Sequence, residues 1–426
     1  MNRESFRKAM VEGNLMEKSY QIIKTFVLDF FNGKHRARLF KAIDLKFSMG
    51  TRKKLTQTTK VENNKIVFVT SRGSYNCNPK AIADEIIRRG LPWELVWCVR
   101  KENLKTPENF PKELQLVLRD SYDFFKALAS ARVWIDNSIN LSYMYLPKKP
   151  EQVLIETWHG SFGLKRFETS SDEEWIRLAK GAGERTAYCV TNSTFESELL
   201  GGTFWGSSEM LEYGHPRNDI LINPNHPKLV STQRKVRQYF QIRKGVRVAL
   251  YAPTYRDSTS LAPYGLDYEG VRDALKKRFG GEWVILARLH FMAKRMLARQ
   301  KKKRPFPEFV IDATDYDDIQ DILTITDVGI TDYSSWICDY VLTGRPGFYF
   351  ATDMDHFYSE RGFYDPLEKT PFPLAEDNDE LIANILNFNE ADYHAKCKDY
   401  LRRKGAMEDG HAAERVVDKI EEIMRS

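Results

Sequence analysis

Cysteine is scarce in this chain and long apolar runs are missing, and both absences narrow the classes of protein to consider. The 426 residues include five cysteines, and none is spaced as a CxxC pair, so neither a structural zinc site nor a disulfide framework is expected. No stretch reaches the roughly 18 apolar residues of a membrane-spanning helix. Charges interrupt the N-terminus where a secretory signal would need an apolar core. We therefore expect a protein of the reducing cytoplasm that at most lies on a membrane.

The positive charge of the chain is concentrated at its beginning. The whole chain carries a net charge of +6, and residues 1–60 contain 14 Lys/Arg but 5 Asp/Glu, a net of +9. The remainder therefore carries −3, and no nucleic-acid partner is expected. Within residues 1–60, apolar side chains from Ile22 to Phe31 recur at three- and four-residue steps, which predicts amphipathic helices. This segment suits an anionic membrane surface; the alternative is that its helices pack on the domain that follows.

From residue 61 onward, short β-branched runs alternate with helical patterns, and the alternation restarts near Arg247. This order predicts an α/β fold with parallel sheets, in two halves that cover residues 61–235 and 236–426. Predicted strands cover residues 66–69, 95–99, 114–118, 133–136, 153–157, 188–191, 248–251, 284–289, 309–311, 328–331 and 347–350. Ligands of open α/β sheets bind beyond the carboxyl ends of strands, so the loops after these strands are the candidate sites.

Two such loops carry groups that suit transfer chemistry. His159 follows the apolar run 153–155, and a strand-end histidine titrates near neutral pH and can accept a proton from a hydroxyl. A histidine that merely hydrogen-bonds its neighbours is the alternative. Ser334 and Ser335 follow the run 328–331 and precede a helical pattern, where free N–H groups favour an anion. A plain serine cap of the helix is the alternative.

A third loop places two cationic side chains on the same side of a strand. Arg288 and His290 alternate at the end of the run 284–286, and this pair suits an anionic leaving group; an exposed pair on the rim of the sheet is the alternative. Loops 251–257 and 214–219 are weaker candidates. Asp332, Asp339 and Asp365 match no metal-site spacing, so salt bridges and caps are expected for them. A divalent metal is compatible with the sequence but is not indicated by it.

Taken in order, these loops resemble those of the CDP-glycerol glycerophosphotransferase family, the teichoic acid primases and polymerases. The segments that carry the resemblance are 74–79 (SYNCNP), 157–160 (TWHG), 214–219 (GHPRND), 251–257 (YAPTYRD), 331–335 (TDYSS), 345–346 (RP), 361–364 (RGFY), 408–410 (EDG) and 414–415 (ER). They extend from about residue 61 to the C-terminus. No single segment is specific, whereas the ordered set is.

The resemblance implies a GT-B-like fold, with two Rossmann-like domains that face a central cleft and the donor in the C-terminal one. It implies transfer of glycerol phosphate, or ribitol phosphate in close relatives, from a CDP-polyol to an undecaprenyl-linked glycopolymer of the teichoic-acid or capsule type. CMP would be released, and no cofactor is required. The implied setting is peripheral, on the cytoplasmic face of the cell membrane. The sequence leaves the polyol, the acceptor, repeated against single transfer, and the formation of a homo-oligomer open.

The resemblance also assigns roles to residues of this chain. His159 is the expected base, and His290 and Arg288 are expected to stabilise charge on the diphosphate. The expected donor-binding residues are Ser334, Ser335, Tyr333, Asp332, Pro253, Thr254, Arg256 and Arg345. The expected acceptor-side residues are Trp158, Gly160, Asn78, Arg217 and Asp219. Two other functions stay open at this point: a GT-B glycosyltransferase that uses a nucleotide sugar, and a non-catalytic scaffold of wall-polymer assembly.

Overall fold

The computed structural model describes residues 49–141, 146–166, 173–254, 265–289, 306–355, 357 and 362–426. Most of the predicted segment 1–60, together with Arg256 and His290, lies outside these residues. Within the described part of the chain, no helix is both long enough and apolar enough to cross a membrane. All five cysteines are free thiols.

The first half contains a seven-stranded sheet in which every pairing is parallel, in the order β3-β2-β1-β4-β5-β6-β7. The strands are β1 (Glu62–Val69), β2 (Glu94–Val99), β3 (Leu114–Leu118), β4 (Ala131–Asp136), β5 (Val153–Glu156), β6 (Tyr188–Thr191) and β7 (Glu209–Glu212). The helices are α1 (49–58), α2 (Cys77–Arg89), α3 (Tyr122–Ser130), α4 (Glu173–Gly183), α5 (Thr194–Thr203) and α6 (Asp219–Ile222).

Helices cover this sheet on both faces, which is why its central strands are apolar at successive positions. Ile66 and Phe68 of β1 pack against α2. Val67 and Val69 point the other way and pack with Leu55 of α1 and with α3. The last part of the basic N-terminal segment therefore packs on the first domain, as the alternative interpretation of that segment predicted.

The second half contains a six-stranded parallel sheet in the order β10-β9-β8-β11-β12-β13, the order of a Rossmann sheet. The strands are β8 (Arg247–Tyr251), β9 (Trp283–Ala287), β10 (Val310–Asp312), β11 (Val328–Thr331), β12 (Gly347–Phe350) and β13 (Leu374–Ala375). The helices are α7 (Leu229–Tyr239), α8 (Tyr268–Phe279), α9 (Ile319–Leu323), α10 (Trp336–Tyr340), α11 (Asn378–Leu386) and α12 (Glu390–Lys404). Short 3-10 turns cover Asn103–Lys105, Pro107–Asn109, Pro216–Asn218, Val341–Thr343 and Leu367–Lys369.

Two helices pack, wholly or in part, on a different half from the one that the predicted boundary assigns to them. Val236 of α7 packs in the core of the second half, so that half begins before residue 236. The final helix, α13 (Ala412–Arg425), returns to the first half, where Val416 and Ile420 pack with Ile82 of α2. The alternation pattern could not reveal this return, because an amphipathic helix does not identify the surface that it covers.

Loops from the carboxyl ends of both sheets meet, so the two halves face each other across a cleft. Asp317, after β10, accepts hydrogen bonds from the side chains of Ser74 and Asn76, after β1. After β5, Lys165 forms an isolated antiparallel bridge with Phe363 of the second half. Beside the cleft, Lys80 of α2 forms ion pairs of 2.7 and 2.6 Å with two aspartates of the second half, Asp318 and Asp321.

Candidate active site

His159 lies directly after β5, in the cleft. Its Nδ1 is 2.8 Å from the backbone carbonyl oxygen of Asn137, which follows β4. A carbonyl can only accept a hydrogen bond, so we assign the ring proton to Nδ1. In that tautomer Nε2 keeps its lone pair and can accept a proton.

The surroundings of His159 keep its ring neutral. The pKa of His159 is lowered to about 4: burial is the largest cause, the positive charges of Arg217 and Lys165 act in the same direction, and the hydrogen bond to the Asn137 carbonyl opposes them. The side chain is nevertheless exposed to solvent within the cleft, so its hydration offsets part of the effect of burial. Because the pKa is lowered, the ring is neutral at pH 7. Because the side chain is exposed, molecules in the cleft can contact it.

Trp158 and Gly160, the residues before and after His159, pack closely together and fix the conformation of the loop. Trp158 is buried and packs edge-on against Trp205, with ring centroids 5.3 Å apart. A Cβ at Gly160 would lie 2.6 Å from Nε1 of Trp158, which explains why glycine is needed there. Trp158 was predicted on the acceptor side; its indole belongs to the core beneath the loop.

Asn78 and Arg217, two further acceptor-side predictions, are buried, and Arg217 also reaches the second half. Asn78 donates to the carbonyls of Thr157 and Trp158, at 2.8 and 3.3 Å, and accepts from the backbone N–H of Arg217. The Arg217 guanidinium forms a two-point ion pair with Asp339 and donates to the carbonyl of Gly160. Both residues therefore hold the His159 loop in place rather than present free polar groups to the cleft.

Asp219, the last acceptor-side prediction, contacts the final helix and not the His159 loop. Its two carboxylate oxygens accept from the backbone N–H groups of Ala412 and Ala413, at 2.9 and 2.7 Å. These contacts cap the first turn of α13. Asp219 therefore docks the final helix with both of its oxygens, and these contacts explain its burial without an acceptor.

The donor-side predictions converge where β8 and β11 end. The Oδ1 atom of the buried Asp332 accepts from the backbone N–H of Thr254, at 2.7 Å, beside the buried Pro253. Tyr333 is buried too; its ring stacks on Phe357 and its hydroxyl donates to the carboxylate of Asp353. Asp332 and Tyr333 therefore fix the shape of these loops instead of offering side chains to a ligand.

Ser334 and Ser335 stand between β11 and the five-residue helix α10. Both are half-buried, and Ser335 makes no side-chain cap with the helix. Their backbone carbonyls accept from the N–H groups of Ile337 and Cys338, at 3.3 and 3.0 Å. The plain-cap alternative therefore does not describe Ser335.

Arg288 lies at the carboxyl end of β9, where the sequence predicted it. Its Nη1 donates to the backbone carbonyls of Ala313, Thr314 and Tyr316, after β10. Burial lowers the pKa of Arg288, and Arg72, in the loop after β1, lowers it further. An arginine stays cationic at pH 7, so the positive charge of Arg288 is held at the second-half wall of the cleft, with that of Arg72 nearby.

The prediction for Arg345 is corrected by its position. Its Nη1 donates to the carbonyls of Leu323 and Thr326, at 3.1 and 2.6 Å. Arg345 precedes β12, so it lies at the amino edge of the sheet, opposite the cleft. A donor contact has no place there. The motif Arg345-Pro346 supports the resemblance to the family, but it does not indicate at which end of a strand the two residues lie.

Of the three aspartates considered as metal ligands, two are in ion pairs, and the third, Asp332, accepts from the backbone N–H of Thr254. Asp339 pairs with Arg217, and Asp365 pairs with the buried Lys404. This is the interpretation that the sequence favoured.

A family model described as CDP-Glycerol:Poly(glycerophosphate) glycerophosphotransferase matches residues 51–422. The chain belongs to this family.

Curated relatives are identical to the chain at slightly more than a quarter of the aligned positions. The teichoic acid poly(glycerol phosphate) polymerase of Bacillus subtilis (strain 168) is 27% identical over 424 residues, which cover 93% of this chain and 55% of the relative. The teichoic acid glycerol-phosphate transferase of Staphylococcus aureus is 28% identical over 375 residues, which cover 84% of this chain and 92% of the relative. The chain thus spans about half the length of the first relative and nearly all of the second.

A solved structure gives the same fold. The wall teichoic acid polymerase TagF, in a variant soaked with CDPG for 15 minutes, superimposes with a TM-score of 0.75 at 26% identity, over 91% of this chain and 97% of that one. The predicted α/β, GT-B-like fold is confirmed.

Sequence reasoning missed two features of this glycerophosphotransferase-family site. The carbonyl of Asn137 had no signal, because any residue supplies a backbone carbonyl. Arg72 had a weak one, since it is a basic residue in a strand-end loop just before the motif at 74–79.

Proposed function

We propose that the chain transfers a polyol phosphate, glycerol phosphate or ribitol phosphate, from its CDP-linked donor to a hydroxyl of a teichoic-acid or capsule-type acceptor. The observation that carries the proposal is the geometry of His159: its Nδ1 lies 2.8 Å from the carbonyl oxygen of Asn137, which leaves Nε2 to accept a proton, and its side chain is exposed. The names of the two curated relatives, a teichoic acid poly(glycerol phosphate) polymerase and a teichoic acid glycerol-phosphate transferase, support the same chemistry.

The proposed reaction is a displacement at phosphorus. The acceptor oxygen forms a bond to the β-phosphorus of the donor, and its proton passes to Nε2 of His159. The bond between the β-phosphorus and the bridging oxygen breaks, and CMP leaves with the electron pair. Transfer of this kind depends mainly on positioning and on charge stabilisation.

The donor diphosphate is proposed to lie in the second half, at the ends of β9 and β11. The cationic Arg288 and the two half-buried serines, Ser334 and Ser335, line that side. Charge-assisted hydrogen bonds to phosphate are about twice as strong as neutral ones. His290 and Arg256 remain predicted partners of the donor and lie outside the described residues.

The test is a donor screen with full-length protein. The chain is incubated with CDP-glycerol, CDP-ribitol and common nucleotide sugars in the presence of a lipid-linked acceptor, and the released nucleotide is identified. We expect CMP from one or both CDP-polyols. The His159→Ala variant should lower turnover by about 10²–10⁴, the usual cost of losing a general base, while calorimetry shows unchanged donor affinity.

Other outcomes would replace the proposal. Release of a nucleoside diphosphate from a sugar donor would identify a glycosyltransferase. Binding of CDP-polyol without turnover, in wild type and variant alike, would identify a scaffold. Including and omitting divalent cations in the same screen measures metal dependence.

We further propose that the protein acts as a peripheral protein on the cytoplasmic face of the cell membrane, where a lipid-linked acceptor would be presented. The net charge of +9 on residues 1–60 supports an anionic lipid surface as the partner of this segment.

A further inference from the structure

Two neighbouring strands, β4 and β5, each end in a buried carboxyl group. Asn137 and His159 lie in the loops that follow these strands. Asp136 is the last residue of β4 and Glu156 the last residue of β5, and the two are paired in register. Their exposed fractions are 1% and 2%. Buried carboxylates are costly unless their oxygens accept hydrogen bonds, so the identity of their donors indicates what each one holds.

The two carboxyl groups accept hydrogen bonds from different parts of the site. Asp136 accepts from the backbone N–H groups of Ser138 and Leu141 and from the side chain of Asn140, at 3.1, 2.7 and 2.8 Å, and so folds its own loop. Glu156 reaches both loops. Its Oε1 accepts from the N–H of Trp158 at 2.9 Å, and its Oε2 accepts from the N–H of Ile139 at 3.1 Å.

The two residues held by Glu156 have unusual backbones. Ile139 and Trp158 both have φ = +50°, a left-handed conformation that residues other than glycine rarely adopt and that is rarer still for a β-branched side chain. Such conformations persist where the surroundings enforce them, and they cluster at active sites. Trp158 directly precedes His159, and Ile139 lies two residues after Asn137.

We propose that Glu156 is a positioning residue for the base. By joining the N–H groups of Ile139 and Trp158, it sets the distance between the loop that supplies the Asn137 carbonyl and the loop that carries His159. The carbonyl then fixes the proton on Nδ1, and Nε2 is left to accept a proton. Glu156 itself is buried beneath the loops, so it acts through His159 and not on the substrate.

This inference rests on the proposed function, in which His159 is the base. Substituting glutamine at position 156 keeps the size of the side chain but replaces one accepting oxygen with an N–H₂ donor, which cannot accept from a backbone N–H. Glu156→Gln should therefore release one loop. We expect kcat to fall roughly 10- to 100-fold, because small misplacements of a catalytic group have costs of that order, with the KM for CDP-polyol unchanged.

The decisive measurement is a double-mutant cycle with His159→Ala. If Glu156 acts through His159, Glu156→Gln lowers the residual kcat of the His159→Ala protein by less than about twofold. A loss as large as that in wild type would mean that the carboxylate only supports the fold, and the inference would be abandoned. Asp219→Asn is the matched control: it removes a buried carboxylate that also accepts two backbone N–H groups, and its effect should be the same in both backgrounds.

A second readout does not depend on turnover. In ¹⁵N-histidine-labelled protein, wild type should show His159 with its proton on Nδ1, and Glu156→Gln should show a mixture of tautomers. An unchanged Nδ1–H tautomer together with an undiminished kcat would overturn the proposal.

Failure to fold is checked by thermal melting and donor calorimetry. If the glutamine variant does not fold, Glu156→Asp, which keeps both accepting oxygens on a shorter side chain, takes its place in the cycle and in the spectrum. Should no CDP-polyol turn over at all in wild type, the proposed function fails, and the tautomer measurement still tests the positioning of His159.

Discussion

The behaviour of His159 depends on one backbone carbonyl and on the charges around its ring. The carbonyl of Asn137 fixes the proton on Nδ1, while burial and the cations Arg217 and Lys165 disfavour a second proton. An ordinary histidine, with a pKa near 6.5, would be partly protonated at pH 6. His159 should not be.

This difference can be measured by NMR on the full chain. The Cε1–H resonance of His159, identified by its absence from His159→Ala, should stay at the position of a neutral ring from pH 8 down to about 5. Protonation sets in only as the pH approaches the lowered pKa of about 4. A titration midpoint near pH 6.5 would show that the cleft does not disfavour the imidazolium.

Arg288 and Arg345 form a matched pair for testing the donor site. Each uses Nη1 to hold a loop through backbone carbonyls, but Arg288 lies at the cleft and Arg345 at the opposite edge. Since a charge-assisted hydrogen bond contributes about 1.5–3 kcal/mol, Arg288→Ala should weaken CDP-polyol binding by roughly tenfold or more.

Isothermal calorimetry on both variants separates the two positions. Arg345→Ala should lower the melting temperature without changing donor affinity. Equal losses of affinity in both variants would favour the motif-based assignment of Arg345, and no loss in Arg288→Ala would place the donor elsewhere.

Among secondary-structure elements, the 3-10 turn Pro216–Asn218 joins the two halves. Arg217 pairs with Asp339 at 2.9 Å with both side chains 5% exposed, and Asn218 also donates to Asp339. Removing one partner of a buried ion pair leaves an uncompensated charge, which costs about 3–5 kcal/mol.

Arg217→Met should therefore lower the free energy of unfolding by about that amount, measured as the shift of the urea midpoint. Arg402→Met breaks the exposed pair between Arg402 and Asp399 and should leave the urea midpoint almost unchanged, because exposed ion pairs contribute little to stability. If both variants unfold at the same urea concentration, the pair at Arg217 does not hold the halves together.

At the scale of the whole molecule, the proposed membrane contact of residues 1–60 has to be tested separately from the folding of the first half. Residues 49–58 form α1, and Leu55 packs in the core of the first half. A truncation test should therefore keep α1 and remove residues 1–48, so that loss of binding is not loss of folding.

Liposome sedimentation provides this test. The full chain should pellet with anionic vesicles at low salt, since each basic residue near such a surface contributes about 1 kcal/mol, and the chain of residues 49–426 should stay in the supernatant. Neutral vesicles and high salt are the controls. Equal pelleting of both chains would move the contact to another basic surface, such as residues 228–247, which contain seven Lys/Arg and no Asp/Glu.

The sequence by itself determined those features that depend on local patterns of residues. Eleven strands, the restart of the alternation near Arg247 and the strand-end positions of His159 and Arg288 follow from apolar runs and their order, and the structure confirms them. Two strands of the described residues, β7 and β13, were not predicted. They lie at sheet edges, and each has only two apolar residues in succession, Met210-Leu211 and Leu374-Ala375, which is too few to form an apolar run.

The tertiary structure alone decided which polar residues face the cleft. Asn78, Arg217 and Asp219 lie in motif segments as His159 does, yet the first two hold the His159 loop and the third docks α13, because their partners come from distant parts of the chain. Arg217 meets Asp339 across 122 positions of sequence. A buried polar group takes whichever partner the fold brings within about 3 Å, and no local pattern records that choice.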